Sequence, residues 1–238
     1  MLKPLVSAIA IALCATYSPV QAGVLGPLGG TGLNGEYARF TDSPFSGLAF
    51  SYFYLENFED LALNTPGVTA DNGMVINLAN SLAIDSVDED DGVIDGYGAS
   101  GASFMAANSI TFNFNATVLG NLPTHAGIVF TDATPNALIT FEAFDQNGVS
   151  LGSVSANLGD DTFYSTTRDD RFFGAMNAGG ISRIFISDNG SPNNLEVDHL
   201  QYGLSAPIPE PETYALMLAG LGLVGFVARR RKQQQASA

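Results

Sequence analysis

The stretch Ala137-Leu138-Ile139-Thr140-Phe141-Glu142-Ala143-Phe144-Asp145-Gln146-Asn147-Gly148-Val149-Ser150-Leu151-Gly152-Ser153-Val154-Ser155-Ala156 reads as two strands and the turn between them. Ile139, Phe141 and Ala143 alternate with more polar residues, so they share one face of a strand. Asp145-Gln146-Asn147-Gly148 is a hairpin signal, because Asn-Gly tolerates the positive φ that such turns require. The same signature recurs outward along the chain. Strand-like runs are Met74–Ala79, Ile110–Phe114, Ala126–Thr131, Ala137–Asp145, Val149–Ala156, Arg171–Met176, Ile181–Ser187 and Leu195–Tyr202. Clusters of Gly, Asn, Asp and Pro separate them. Ile110, Phe112 and Phe114 share a face, as do Ile184 and Ile186. Gly23 to Gly35 is glycine-rich and reads as a loose first strand. No part of the body shows a long, capped apolar stripe of period 3.6, and no repeat recurs at a fixed spacing. About eight to ten short strands predict an all-β domain, a two-sheet β-sandwich of jelly-roll type.

Composition agrees. The chain has 238 residues with 26 glycines, 16 Phe, 8 Tyr and no Trp. Only 14% of residues are charged, yet the formal net charge is −15. Lys3, Arg229, Arg230, Arg231 and Lys232 all lie near the ends. The body from Gly23 to Ile208 keeps only Arg39, Arg168, Arg171 and Arg183 against 22 acidic residues, a net −18 without a single lysine. That field repels a phosphate backbone and excludes nucleic acid as a partner. It suits cations, Ca²⁺ above all, and equally suits simple solubility outside the cell. The one cysteine, Cys14, precedes the body, so the body has neither disulfide, thiolate metal site nor cysteine nucleophile.

The two ends read as processing segments. Lys3, the apolar run Leu5–Ala15 and Val20-Gln21-Ala22 form a secretory signal peptide over residues 1–22, with a mature start expected at Gly23. This calls for the Sec export machinery and signal peptidase. At the other end Pro209-Glu210-Pro211 is stiff and extended. An uncharged run from Tyr214 to Ala228 follows, then Arg229-Arg230-Arg231-Lys232. Fifteen helical residues rise about 22 Å, a marginal span of a ~30 Å hydrocarbon core. The sequence therefore predicts an apolar, transmembrane helix that holds residues 214–228 transiently in the inner membrane, the basic cluster inside and the body outside.

The string PEPETYALMLAGLGLVGFVARRRK, residues 209–232, resembles the PEP-CTERM sorting signal of Gram-negative bacteria. The matching features are Pro209, Glu210, Pro211 and Thr213, a helix with Gly220, Gly222 and Gly225, and Arg229, Arg230 and Arg231. The resemblance implies that an exosortase recognises the Pro-Glu-Pro region and removes the helix and tail. It also implies delivery to the cell surface or the extracellular matrix, in association with exopolysaccharide, biofilm and floc. Pieces of the body, among them NFEDLALNTPGVTA and EVDHLQYG, resemble a recurring body of PEP-CTERM proteins between Asn57 and Gly203. That likeness implies fold and sorting and no particular chemistry. The domain organisation expected is thus 1–22 signal peptide, 23–208 sandwich and 209–232 sorting signal.

Candidate chemistry is confined to acids. Asp85, Asp88, Glu89, Asp90, Asp91 and Asp95 place six carboxylates in eleven residues around Gly92. Hard oxygen ligands at this density suit a structural Ca²⁺. Setting Gly92 at the sixth loop position puts Val87 first and Gly98 last, so the loop is not an EF-hand; an irregular Ca²⁺ loop and a solvated acidic turn both remain. Glu59 and Asp60 near the first strands, with Glu196, Asp198 and His199 in the last, resemble the pattern of several carbohydrate-binding modules. There an early acid and a late aspartate hold a structural Ca²⁺, which implies Glu59, Asp60 and Asp198 as ligands here. No organic cofactor is expected.

His125 and His199 are the only histidines, too few for a three-histidine zinc site, and the Gly-x-Ser-x-Gly string Gly148-Val149-Ser150-Leu151-Gly152 runs from a hairpin turn into a strand, so it is not a nucleophile elbow. The chain reads as a non-enzyme. Tyr52, Phe53, Tyr54, Tyr97, Phe163, Tyr164, Phe172 and Phe173 offer rings to a sugar, with at most one of each adjacent pair needed for the core. Arg168-Asp169-Asp170-Arg171 reads as an exposed charged turn. The reading is an exported matrix protein that binds extracellular polysaccharide, with Ca²⁺. A structural surface protein without ligand and a glycan-active enzyme are the alternatives.

Overall fold

The computed structural model describes residues 22–77, 84–160, 165–188, 195–207 and 211–235. The signal peptide expected at residues 1–22 lies almost wholly outside them, as do Phe163 and Tyr164. The body within Pro19–Ala206 and the segment from Pro207 onward are separate compact units.

The body is a sandwich of two antiparallel sheets. Its strands are β1 (Gly23–Leu28), β2 (Phe50–Glu56), β3 (Val68–Ala70), β4 (Met74–Ile76), β5 (Ser103–Ala106), β6 (Ser109–Phe114), β7 (His125–Asp132), β8 (Ala137–Asp145), β9 (Ser150–Leu158), β10 (Arg171–Met176), β11 (Ile181–Asp188) and β12 (Leu195–Ser205). One sheet runs β1-β10-β7-β12-β5-β4, with β2 also paired to β12. The other runs β3-β6-β11-β8-β9. The long β12 meets β5 through Leu195–Val197 and β2 through Leu200–Ser205, so one strand ties three neighbours together.

The alternating residues meet between the sheets. Ile110, Phe112 and Phe114 of β6, Ile139, Phe141 and Ala143 of β8, and Ile184 and Ile186 of β11 face Ala126, Ile128 and Phe130 of β7 in one buried core. The hairpin forms as its sequence requires. Gly148 takes φ +76° and donates to the Asp145 carbonyl at 3.0 Å. The Asp145 carboxylate accepts from Asn147 and Val149 N–H, both at 2.8 Å.

Two features differ from the sequence reading. Phe172 and Phe173 are both fully buried, although they point to opposite faces of β10. Phe173 enters the inter-sheet core, while Phe172 joins Tyr37, Phe45, Val87 and Val129 in a second cluster. The outer face of the larger sheet is therefore covered as well, by residues 36–48 and the loop from Ile84. Asp169 and Asp170 are correspondingly buried rather than parts of an exposed charged turn; only Arg168 of that turn is exposed. Strand β4 ends at Ile76, and Ala79 lies outside the described residues.

The C-terminal unit is a single helix, α2 (Pro211–Gln235), following the short α1 (Ala116–Leu119) of the body. Leu216, Leu218, Leu221, Leu223 and Phe226 on α2 are all more than half exposed. Among the described residues no helix is long and apolar enough to cross a membrane. The crossing expected through residues 214–228 is not met by α2, whose uncharged run stops at Arg229.

Candidate functional site: a buried acidic layer

The site is built on β12. Its sequence Glu196-Val197-Asp198-His199-Leu200-Gln201-Tyr202 would alternate cleanly but for one extra residue. The register against β7 slips between Asp198 and Gln201, a β-bulge, and His199 takes φ +45°. A bulge bends the strand and sets two successive side chains on one side. Val197, Leu200 and Tyr202 thus pack into the inter-sheet core. Glu196, Asp198, His199 and Gln201 are presented to the covering layer and are buried there.

Each of them pins a piece of that layer. Glu196 accepts from Asp85 N–H at 3.0 Å and from the Ser103 hydroxyl at 3.1 Å. Asp198 accepts from Val87 N–H at 2.9 Å and His199 N–H at 2.6 Å. Gln201 donates to the Tyr37 hydroxyl at 3.0 Å and accepts from Ser43 at 2.6 Å. The Tyr37 hydroxyl also lies within hydrogen-bond distance of His199 Nδ1, 3.1 Å away. At the other end of the ring Nε2 pairs with Asp90 Oδ2 at 3.0 Å. His199 is oriented at both ends.

Beside this network lies a cluster without such answers. Asp85, Asp169 and Asp170 are all buried, and one oxygen of each lies within 4.8 Å of the other two. Asp85 Oδ1, Asp169 Oδ2 and both oxygens of Asp170 have no hydrogen-bond partner. Burial, then Asp132 and Asp160, pushes the Asp169 carboxyl up to about 8. Burial first and neighbouring acids second raise Asp85 and Asp170 well above the carboxylate range. Asp132 and Glu196 rise to about 7, again through burial above all. Ionised together, three carboxylates at this spacing repel by roughly 3–4 kcal/mol per pair at an effective dielectric of 20.

The acids singled out from the sequence separate into distinct roles. Asp85 enters the buried cluster, and Asp198 lies beside it on β12. Asp88 caps its own loop, accepting from Asp95 N–H at 3.1 Å and Gly96 N–H at 2.9 Å. Asp91 and Asp95 accept from Val93 and Tyr97 N–H in the same manner. Asp90 goes to His199, and Glu89 accepts from Phe40 N–H at 2.6 Å. Glu59 accepts from Ala102 N–H at 2.5 Å and stands in the field of Asp90 and His199. Asp60 is exposed and bonded to Ala62 and Asn64. The loop thus divides between backbone caps and side chains aimed inward. Asp169 and Asp170 belong to the cluster but read as surface from sequence; their one local signal is that they directly precede a strand apolar on both faces.

His125 opens β7 with Nδ1 near the Thr124 hydroxyl at 3.0 Å, and burial lowers its pKa. Two shallow clefts, one along Gly120, Asn121, Thr124 and Gly179 and one along Asn72, Met74 and Met105, are lined by no carboxylate, histidine or cysteine. Of the candidate rings that are described, Tyr97 alone is exposed, at 52%. Its backbone lies between the two segments of the acidic cluster: it bridges to Thr166, and the next residue, Gly98, donates to Ser165 O at 2.9 Å.

At the C-terminus Pro211 begins α2, and Arg229, Arg230 and Arg231 lie near its end. Pro209 and Glu210 lie outside the described residues. The family model that matches here is the PEP-CTERM protein-sorting motif, over residues 207–232. The chain carries a PEP-CTERM sorting signal. That motif implies export, membrane-associated sorting and exosortase processing, so this is an exosortase-sorted surface protein. No curated protein matches the chain. Among solved structures, the body is similar to a family 35 carbohydrate-binding module from Clostridium thermocellum, with 13% identity over 65% of this chain and all of that one, at a TM-score of 0.34. It is also similar to the enzymatically active domain of bacteriophage CBA120 tailspike protein 4, with 14% identity over 63% of this chain and 20% of that one, at 0.31. A third is TmCBM61 in complex with β-1,4-galactotriose, with 11% identity over 62% and 94%, at 0.29. Likeness at these scores says nothing of what this chain binds.

Proposed function

We propose that the PEP-CTERM protein is a non-enzymatic module that binds exopolysaccharide, delivered by its sorting signal to the surface matrix of a Gram-negative cell. The observation that carries this reading is Tyr97. It is an exposed ring on an acidic loop whose backbone is fixed on both sides, by Asp95 before it and by Thr166 and Ser165 across from it. A rigid aromatic face offers a large contact area to a sugar ring at little entropic cost. The exposed Asp95 and half-buried Asp91 beside it supply acceptors for sugar hydroxyls. With a body at net −18, an anionic polymer approaches only with a divalent cation between, which makes Ca²⁺ the natural partner of binding.

Binding isotherms of the wild-type chain and Tyr97→Ala against the producing cell's exopolysaccharide test this. Wild type binds saturably, and Tyr97→Ala binds at least about 10-fold more weakly, roughly 1.4 kcal/mol, with an unchanged circular dichroism spectrum. Equal binding by the two proteins defeats the reading. A panel of glycans incubated with the chain shows no turnover; release of reducing ends would instead make it an enzyme.

A further inference from the structure

The covering layer buries three carboxylates side by side, with Asp85 Oδ1, Asp169 Oδ2 and both oxygens of Asp170 lacking any partner. We infer that Asp85, Asp169 and Asp170 hold a Ca²⁺ ion between the loop from Ile84 and the segment 165–170. The geometry leaves few other solutions. No lysine exists in the body, and among the described residues no arginine forms an ion pair with these acids. Arg168, next to Asp169, is exposed, and Arg171, next to Asp170, directs Nη1 to the backbone carbonyls of Arg168 and Asp170 at 3.1 and 2.7 Å. Protonation does not settle the cluster either. A neutral carboxyl buried here needs an acceptor for its proton, and neither oxygen of the fully buried Asp170 has any hydrogen-bond partner. A buried polar atom without a partner is costly, and three such side chains aimed at one point are rare.

A cation answers all of them at once. Oxygens bound 2.3–2.6 Å from one ion stand no more than about 5.2 Å apart; these lie within 4.8 Å. The donors are all oxygen, with no nitrogen or sulfur, which favours a hard ion over zinc or copper. The site is buried, and Mg²⁺ sheds its waters reluctantly, whereas Ca²⁺ accepts six to eight protein oxygens. Further oxygens are at hand on the same segment, since the hydroxyls of Ser165 and Thr167 are buried and likewise without partners. The acidic loop from Asp88 to Asp95 is not this site. Asp88, Asp91 and Asp95 are already committed to backbone N–H groups. The ion belongs to the fold and stands apart from polysaccharide binding at Tyr97, so either can fail without the other.

The test is calorimetric titration of the chelator-treated full-length chain with CaCl₂, paired with thermal melts in Ca²⁺, Mg²⁺ and EDTA. One Ca²⁺ binds per chain and raises the Tm by about 5–10 °C at a hundredfold excess over Kd, while Mg²⁺ at the same concentration does far less. Asp170→Asn and, separately, Asp85→Asn weaken Ca²⁺ binding at least 100-fold; Asp91→Asn and Asp95→Asn leave it intact. Absence of both heat and Tm shift in wild type at millimolar Ca²⁺ overturns the inference, and needs no variant to fold. So does a Ca²⁺ affinity lost in Asp91→Asn but retained in Asp170→Asn or Asp85→Asn.

Discussion

At the scale of single residues the body is organised by buried oxygens and what faces them. Tyr37 is the clearest case. Its hydroxyl accepts a hydrogen bond from Gln201 and shares another with His199, and its ring stacks on Phe172 with centroids 6.2 Å apart. Tyr37→Phe keeps the ring and strands two polar groups, so it lowers stability by about 1–3 kcal/mol. Urea unfolding measures this, and a midpoint equal to wild type would show that the network contributes nothing. Part of this layer is legible in the sequence. Asp85 and Asp198 stand out as acids in a dense loop and in a late apolar strand. Asp169 and Asp170 do not, because Arg168 and Arg171 on either side give them the look of a solvated turn. Their burial depends on residues 36–48 folding over β10, and no local pattern records that.

At the scale of elements, alternation was readable wherever one face meets the core and the other meets water. Strands β6, β8 and β11 are of this kind, and Ile110, Phe112 and Phe114 mark the inner face unaided. Strand β2 is not, since Tyr52 and Tyr54 pack inward while Phe50 and Phe53 pack under the covering layer. A strand apolar on both faces resembles a cluster of binding aromatics. The bulge in β12 is equally silent, because its extra residue shows only in the register with β7. Close packing of the two loop segments makes its own demand. A Cβ on Gly98 would stand 2.0 Å from the Ser86 carbonyl oxygen and 2.7 Å from Asp85 Oδ1. Gly98→Ala must push the Ile84 loop away and costs about 1–3 kcal/mol. The same change displaces Asp85 and weakens Ca²⁺ binding. Unaltered melting of Gly98→Ala would mean the loop yields freely.

At the scale of the whole molecule, charge and address combine. In chelator, Asp132, Glu196 and Asp169 titrate in the fold near 7, 7 and 8, against about 4 in the unfolded chain. The folded state therefore binds more protons, and stability falls as pH rises from 6.5 to 8. His125, lowered by burial, acts in the other direction only at more acid pH. Calorimetry in EDTA across this window should show a falling Tm, and a rising Tm would contradict the buried acids. The tail is a separate determinant: a chain cut before Pro207 keeps the sandwich and loses surface retention, which fractionation of producing cells detects. Unchanged retention would show that another element anchors the chain.

The sorted sandwich is proposed to hold matrix polysaccharide with the help of a cation. The most direct measurement is co-sedimentation of the full-length chain with the producing cell's own exopolysaccharide, in Ca²⁺ and in EDTA. Saturable co-sedimentation in Ca²⁺ that EDTA removes is the expected result. A chain that stays in the supernatant in both buffers would contradict it.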